Sequence, residues 1–271
     1  MNEQTITLNA LSLAFLAVKE NHGCAGADGV TIEHYEGNLD LNLKILRREL
    51  ETHTYSPLPL LKMLVDKGNG EARALCIPAV RDRIAQAAVL QLIEPMLERE
   101  FEECSFAYRK GRSVKQAVYK IKGYYEQGYH WVVDADIDAF FDSVDHPLLL
   151  EKLKKYVRVP FIQTLIELWL KTEIWDDVSL TVLQKGIPQG SPISPILANL
   201  YLTEQNSILR KTGDRLIVQK DDNTLLDVQC HKIDAVLIFG NVQFTTQAVH
   251  ELFEHGIEMA ILTRNEGENH L

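Results

Sequence analysis

The sequence predicts an α+β fold, with a helix-rich stretch over residues 1–202 followed by a small β-rich domain over residues 203–271. Two observations predict it. Apolar residues recur at helical spacing through most of the first 202 positions, interrupted by a few strand-like runs. From about Thr203 the pattern changes to short alternating segments separated by turn signals, with one helix and one strand at the end. No low-complexity linker marks the change, which is unusual for a domain boundary.

The elements follow in order. LSLAFLAVKE reads as a first helix, HGCAGADGV as a glycine-rich loop, and LDLNLKILRRELETHTY as a second helix. LLKMLV and RALCIP read as two short strands around DKGNGEA, where the Asn-Gly step marks the turn. RDRIAQAAVLQLIEPMLEREF is a long amphipathic helix in which Pro95 is expected to kink the axis. VKQAVYKIKGYYEQG is a further helix and YHWVVDADI a strand. PLLLEKLKKYV and PFIQTLIELWLKT form a helical pair. SPISPILANLYL opens another helix, with Ser191 expected as its N-cap and Pro192 in its first turn. Beyond it, turns at K-D-D-N and F-G-N divide the strands of the β-rich part.

Composition narrows the function classes. The chain has 271 residues and is 46% hydrophobic, enough for one large core or two smaller ones. No apolar run is long enough to span a bilayer, and the first twenty residues carry Glu3 and Glu20 without the basic start of a secretory leader. Cys24, Cys76, Cys104 and Cys230 are scattered with no C-x-x-C pair, which fits a reducing cytoplasm and argues against a zinc ribbon or a disulfide framework. HELFEH is not H-E-x-x-H and reads as a surface helix. The net charge of −10 runs against nucleic-acid binding, but position matters more than the sum. Residues 105–122 hold six Lys/Arg and no acid, a local basic footprint whose plain alternative is a solvated helix face.

Four stretches carry candidate chemistry. In WVVDADIDAFFDSVDH an apolar run ends in the carboxylates Asp134, Asp136 and Asp138, and a strand ending in Asp presents a hard oxygen ligand for a divalent cation at a sheet edge. A rival calcium-loop reading places Asp134, Asp136, Asp138 and Asp145 at loop positions 1, 3, 5 and 12, with Ala139 where that loop needs glycine. Phe140 and Phe141 follow, and a Phe beside a Phe is most simply core. Lys67 and Arg73 flank the DKGNGEAR turn, a point charge and a guanidinium fork suited to a polyphosphate, or else two exposed hairpin charges. FAYRKGRS carries Arg109 and Arg112, and Arg81 and Arg83 could share their surface; ion pairs to Asp82 or Glu103 are the competing account. In GIPQGSPIS, Gly186 and Gly190 let backbone approach a ligand closely, and Gln189 both donates and accepts.

Taken together, WVVDADIDAFFDSVDH and GIPQGSPISPILANLYL resemble two catalytic blocks of reverse transcriptases of the bacterial group II intron type. The resemblance implies right-hand polymerase fingers and part of a palm over residues 1–202. It also implies RNA-directed DNA synthesis on an RNA template and a DNA primer, using deoxynucleoside triphosphates and two Mg2+ ions. By the same resemblance Asp136 and the Ile137 carbonyl bind metal, and Asp136 is the catalytic carboxylate. Lys67 and Arg73 hold the triphosphate, and Phe141 packs under the incoming sugar. Gln189 and Gly190 lie against the template and nascent pair, and Arg109 and Arg112 touch nucleic-acid phosphates. The family's next block, an aromatic followed by Asp-Asp on a hairpin, is not found downstream; Asp221-Asp222 lacks the aromatic, comes early and reads as a turn. From Tyr201 onward the chain resembles the N-terminal β-domain of the CRISPR adaptation integrase, whose subunits are then expected partners. The expectation is a fusion that has lost the second palm half, the thumb and the integrase catalytic domain. Two other classes stand beside it: a non-catalytic nucleic-acid-binding or assembly module, and a deletion relic.

Overall fold

In a computed structural model the chain is α+β, as the sequence predicts. The structure describes residues 6–66, 72–127, 140–202, 208–220, 223–233, 235–239 and 243–262. It opens with helices α1 (Leu8–Glu20), α2 (Ile32–Glu36) and α3 (Leu39–Glu51), then a hairpin of β1 (Leu60–Asp66) and β2 (Ala72–Ile77), then α4 (Val80–Leu97) and α5 (Val114–Glu126). A short α6 (Phe140–Ser143) precedes the pair α7 (His146–Tyr156) and α8 (Pro160–Leu170). A second hairpin, β3 (Glu173–Trp175) and β4 (Leu180–Val182), leads to α9 (Ser194–Leu202). The remainder is β5 (Ile208–Lys211), β6 (Arg215–Lys220), β7 (Asn223–Gln229), a 3-10 turn (Cys230–Lys232), β8 (Ala235–Phe239), β9 (Gln243–Phe244), α10 (Thr246–Glu254) and β10 (Glu258–Leu262).

The chain divides into two compact units, residues 1–100 with 139–202, and residues 101–138 with 203–271. In the first, α4 is the central helix. Ile84, Val89, Ile93 and Leu97 are fully buried on it, and each contributes about 1.5–3 kcal/mol by leaving water. α1 packs on α4 through Leu11, Ala14, Phe15 and Val18, the helical stripe that its sequence spelled out. α4 runs through Pro95 but ends at Leu97, four residues before the end expected from periodicity. Pro95 supplies no N–H to the ladder, so the last turn is weakly held. The sheet of this unit has the order β2-β1-β3-β4, with β1 antiparallel to β2 and parallel to β3.

Helix starts obey local chemistry. The hydroxyls of Thr7, Thr31, Ser113 and Thr245 accept the N–H three residues on, as does the Asp145 carboxylate ahead of α7. The expected cap at Ser191 is a correction. α9 begins at Ser194, and among the described residues the buried Ser191 hydroxyl has no hydrogen-bond partner. Two Ser-Pro steps stand in sequence here, and the turn between them is closed by Ser194 N–H to the Ser191 carbonyl at 3.2 Å. The Ser194 hydroxyl turns back to the Pro188 carbonyl at 2.7 Å.

In the second unit β7-β6-β5-β9 form a sheet in which β9 runs parallel to β5, while β8 and β10 pair in parallel. Leu209, Leu216, Cys230, Ala248, Leu252 and Ile257 form a small core, with Val218, Val228 and Ile233 packed against it. α5 belongs to this unit and none of its residues is buried; Val114, Val118, Tyr119, Ile121 and Tyr125 are exposed along it. Among the described residues, no helix is long and apolar enough to cross a membrane.

Candidate functional site

The GIPQG loop is pinned from two directions. On one side the Gly186 N–H donates to the Val144 carbonyl at 2.6 Å, and the Ile187 N–H donates to the Phe141 carbonyl at 2.6 Å. The buried His146 meets the Gly186 carbonyl through Nε2 at 2.7 Å. On the other side the Cys76 N–H of β2 donates to the Gln189 carbonyl at 2.7 Å. Both glycines are obligatory for backbone reasons. Gly186 has φ +93°, and a Cβ there would lie 3.0 Å from the backbone of Asp142 and Phe141. Gly190 has φ +114°, and its Cβ would lie 3.0 Å from the Cys76 carbonyl oxygen. The close approach that the sequence suggested is therefore made first to the protein's own chain.

Two of the sequence-predicted residues meet directly. The Arg73 Nε–H donates to Gln189 Oε1 at 2.6 Å, across 116 positions of sequence. Arg73 is exposed on β2, Gln189 is half-buried and Gly190 is exposed. Phe141 joins the same loop through its carbonyl, and its half-buried ring stands edge-on to Phe140 at 5.8 Å between centroids. Phe140 in turn lies 6.1 Å from the Tyr201 ring of α9, and Lys152 caps that ring at 5.1 Å. Burial pushes the Cys76 thiol up, with Lys62 lowering it and Asp142 raising it, so both charges act on this strand end. Lys67, Asp136 and Ile137 fall outside the described residues. Among the described residues no cluster of three metal-ligating side chains forms at this loop.

The four arginines are placed differently from one another. Arg81 pairs with Glu49, lies 3.5 Å from Asp82, and sits 5.4 Å above the Tyr55 ring. Arg83 is buried and donates to the Cys24 carbonyl. Arg109 is buried and donates to the carbonyls of Glu102 and Ser105, with its guanidinium 5.5 Å over Phe101. Arg112 is half-buried, donates to the Glu103 carbonyl at 3.2 Å and lies 5.5 Å over Phe106. Arg81 and Arg83 tie α4 to other segments and Arg109 and Arg112 brace their own loop, while the exposed cations of the basic stretch are Lys110, Lys115 and Lys122. Asp82 is more than an ion-pair partner and anchors the helical layer: its buried carboxylate accepts from the Tyr55 hydroxyl at 2.7 Å and the Leu58 N–H at 2.9 Å. Cys76 and His146 are the residues that sequence reasoning missed. His146 closes the quoted DSVDH run, while the Cys76 N–H carried no signal at all.

The profile of the family described as reverse transcriptase (RNA-dependent DNA polymerase) matches residues 65–249. Protein YkfC of Escherichia coli (strain K12) is 35% identical over 190 residues, covering 69% of this chain and 50% of its own length. The group II intron-encoded protein LtrA of Lactococcus lactis subsp. cremoris is 31% identical over 193 residues, covering 71% of this chain and 32% of its own. The chain thus spans half or less of the length of these relatives. Among solved structures, a chain of a partial Cas6-RT-Cas1–Cas2 complex aligns with TM-score 0.51 and 28% identity, over 79% of this chain and 37% of that one. A chain of a Cas6-RT-Cas1–Cas2 complex aligns over 96% of this chain and 39% of that one, with TM-score 0.50 and 22% identity.

Proposed function

The chain belongs to the reverse transcriptase family, and from that premise we propose that it is the template- and nucleotide-binding part of an RNA-directed DNA polymerase associated with CRISPR spacer acquisition. The observation that carries the reading is the Arg73–Gln189 bond. It joins the β1–β2 hairpin to the GIPQG loop at one exposed point, where a phosphate group and a template base can be held side by side. On binding, Arg73 releases Gln189 and turns its fork to phosphate oxygens, assisted by Lys67. Gln189 then faces the template strand, with Gly190 leaving room for the backbone. Phe141 packs beneath the incoming sugar. Asp136 and the Ile137 carbonyl are the proposed Mg2+ ligands, and the ions supply charge neutralisation for in-line phosphoryl transfer.

In this reading the chain is catalytically incomplete, because Asp136 lacks the second carboxylate block. In the same reading the junction lies at residues 202/203, the following β-rich part derives from the integrase, and the partners are integrase subunits. Likeness to chains of Cas6-RT-Cas1–Cas2 complexes supports the CRISPR association. The test is primer extension on an RNA template with Mg2+ and deoxynucleotides, run beside a binding titration with an RNA–DNA hybrid. Expected are hybrid binding and no extension, from the chain and from Asp136→Ala alike. Extension that disappears in Asp136→Ala would overturn the incompleteness, and a folded chain that does not bind the hybrid would overturn the site. Gln189→Ala is expected to weaken hybrid binding by about 2- to 10-fold, the worth of one hydrogen bond.

A further inference from the structure

The second unit gathers a group of side chains that the polymerase reading does not use. Asp214 stands in the turn between β5 and β6, Cys230 begins the 3-10 turn after β7, and Glu251 lies on α10. One ligand atom from each falls within 4.8 Å of the other two. Cys230 is 0% exposed and Glu251 is 4% exposed, so two of the three donors are enclosed. The arrangement is held by backbone, since the Cys230 N–H donates to the Asp214 carbonyl at 3.0 Å. His255, at the end of α10, borders the group. Its Nδ1 meets the Glu251 carbonyl at 3.1 Å, which turns Nε2 toward Asp214 Oδ1 at 3.6 Å. Lys211 pairs with Glu251, and His231 Nδ1 lies 3.8 Å from the other oxygen of Asp214.

We propose that Asp214, Cys230 and Glu251, with His255 bordering them, form a binding site for a zinc-class divalent cation. Three arguments carry it. A thiolate at Cys230 and the carboxylates of Asp214 and Glu251 would repel one another in this enclosed place, and a cation among them offsets that repulsion. Thiolate, imidazole and carboxylate together select a borderline transition metal over Mg2+ or Ca2+, which take oxygen alone. The bordering imidazole has one ring nitrogen tied to a backbone carbonyl, as metal-binding histidines do, and the other turned toward Asp214. The 3.6 Å between His255 Nε2 and Asp214 Oδ1 is close to the ~3.3 Å edge of a tetrahedron built on metal–ligand bonds of about 2.0 Å. With Lys211 alongside, three anionic ligands balance a divalent charge. The cation clamps α10 to the β-sheet, a structural role in a unit whose apolar core is small.

The test is titration of the full chain with Co2+, after chelator treatment under reducing conditions. Expected is one equivalent bound, with tetrahedral visible bands and a near-ultraviolet thiolate-to-cobalt charge-transfer band. Cys230→Ser should abolish the charge-transfer band. Asp214 is exposed, so Asp214→Asn should leave the fold intact, as circular dichroism would verify, yet weaken binding by about tenfold or more. Zn2+ should raise the melting temperature of the intact chain and leave that of Asp214→Asn nearly unchanged. Absence of the charge-transfer band in the intact chain, or a band that survives undiminished in Cys230→Ser, would overturn the site.

Discussion

Replacing Asp82 with alanine is expected to destabilise the chain by about 3 kcal/mol, and by more at pH 5 than at pH 7. The substitution strands two donors in the interior, the Tyr55 hydroxyl and the Leu58 N–H, and removes a neighbour of Arg81. Each buried donor left without an acceptor costs about 1–3 kcal/mol. Trp169 is drawn in as well, because its Nε1–H donates to the Tyr55 oxygen at 3.0 Å. The pH dependence follows from burial, which pushes the Asp82 carboxyl up to about 6 from its ordinary 3.8, against the lowering effects of the Tyr55 and Leu58 bonds and Arg81. Between those values the folded chain keeps a proton that the unfolded chain has released. Stability from this group is therefore complete below about pH 4 and falls as pH rises toward 6, by about 3 kcal/mol in all. The alanine variant has no such slope, so the gap between the two proteins widens toward acid. Urea unfolding at pH 5 and pH 7 measures it, and a larger loss at pH 7 would mean that the carboxyl is not raised.

Gly186→Ala is expected to cost about 2–4 kcal/mol, with a melting temperature lower by roughly 5–15 °C. A left-handed φ costs an alanine about 1–2 kcal/mol on its own. Its methyl group would also press on the backbone of Asp142 and Phe141, which cannot swing aside as a side chain can. Relief would require lengthening the Gly186–Val144 and Ile187–Phe141 bonds, which hold the loop against α6. Gly123 supplies the contrast. It lies inside α5, and a Cβ there meets nothing within 4 Å, so Gly123→Ala should stabilise by about 0.5–1 kcal/mol. Thermal melts of both variants test whether backbone geometry, rather than glycine content, sets the outcome.

These two sites differ in how far the sequence disclosed them. The glycines of GIPQG are plain in the sequence, but the partner of each close approach is not. Asp142 and Cys76 lie 44 and 114 positions from Gly186 and Gly190, and no local pattern records such a meeting. The long elements were legible because burial wrote a period into them, as in α1 and α8. The hairpin β3–β4 and helix α2 were missed because strands of three residues and a helix of five are too short to display one. The arginines show the converse limit. Their charge was plain, but whether a guanidinium faces solvent or a carbonyl is decided by packing, and for Arg83 and Arg109 it is the carbonyl. Cysteine spacing was equally silent on Cys230, whose neighbours Asp214 and Glu251 arrive from a turn and a helix far along the chain.

The first compact unit is stitched from two separate lengths of chain, and this has a consequence for synthesis on the ribosome. Residues 1–100 emerge early, but β1 waits for β3, Tyr55 for Trp169, and Cys76 for Gln189. The nascent segment therefore stays unfinished until about residue 202 has left the exit tunnel, with α4 shielding its apolar side chains only in part. The same stitching means that a single break in the peptide between the two lengths need not part them once folding is complete. A protease cut after the exposed Lys110 or Lys115 should leave two fragments that co-elute on gel filtration and part only in denaturant.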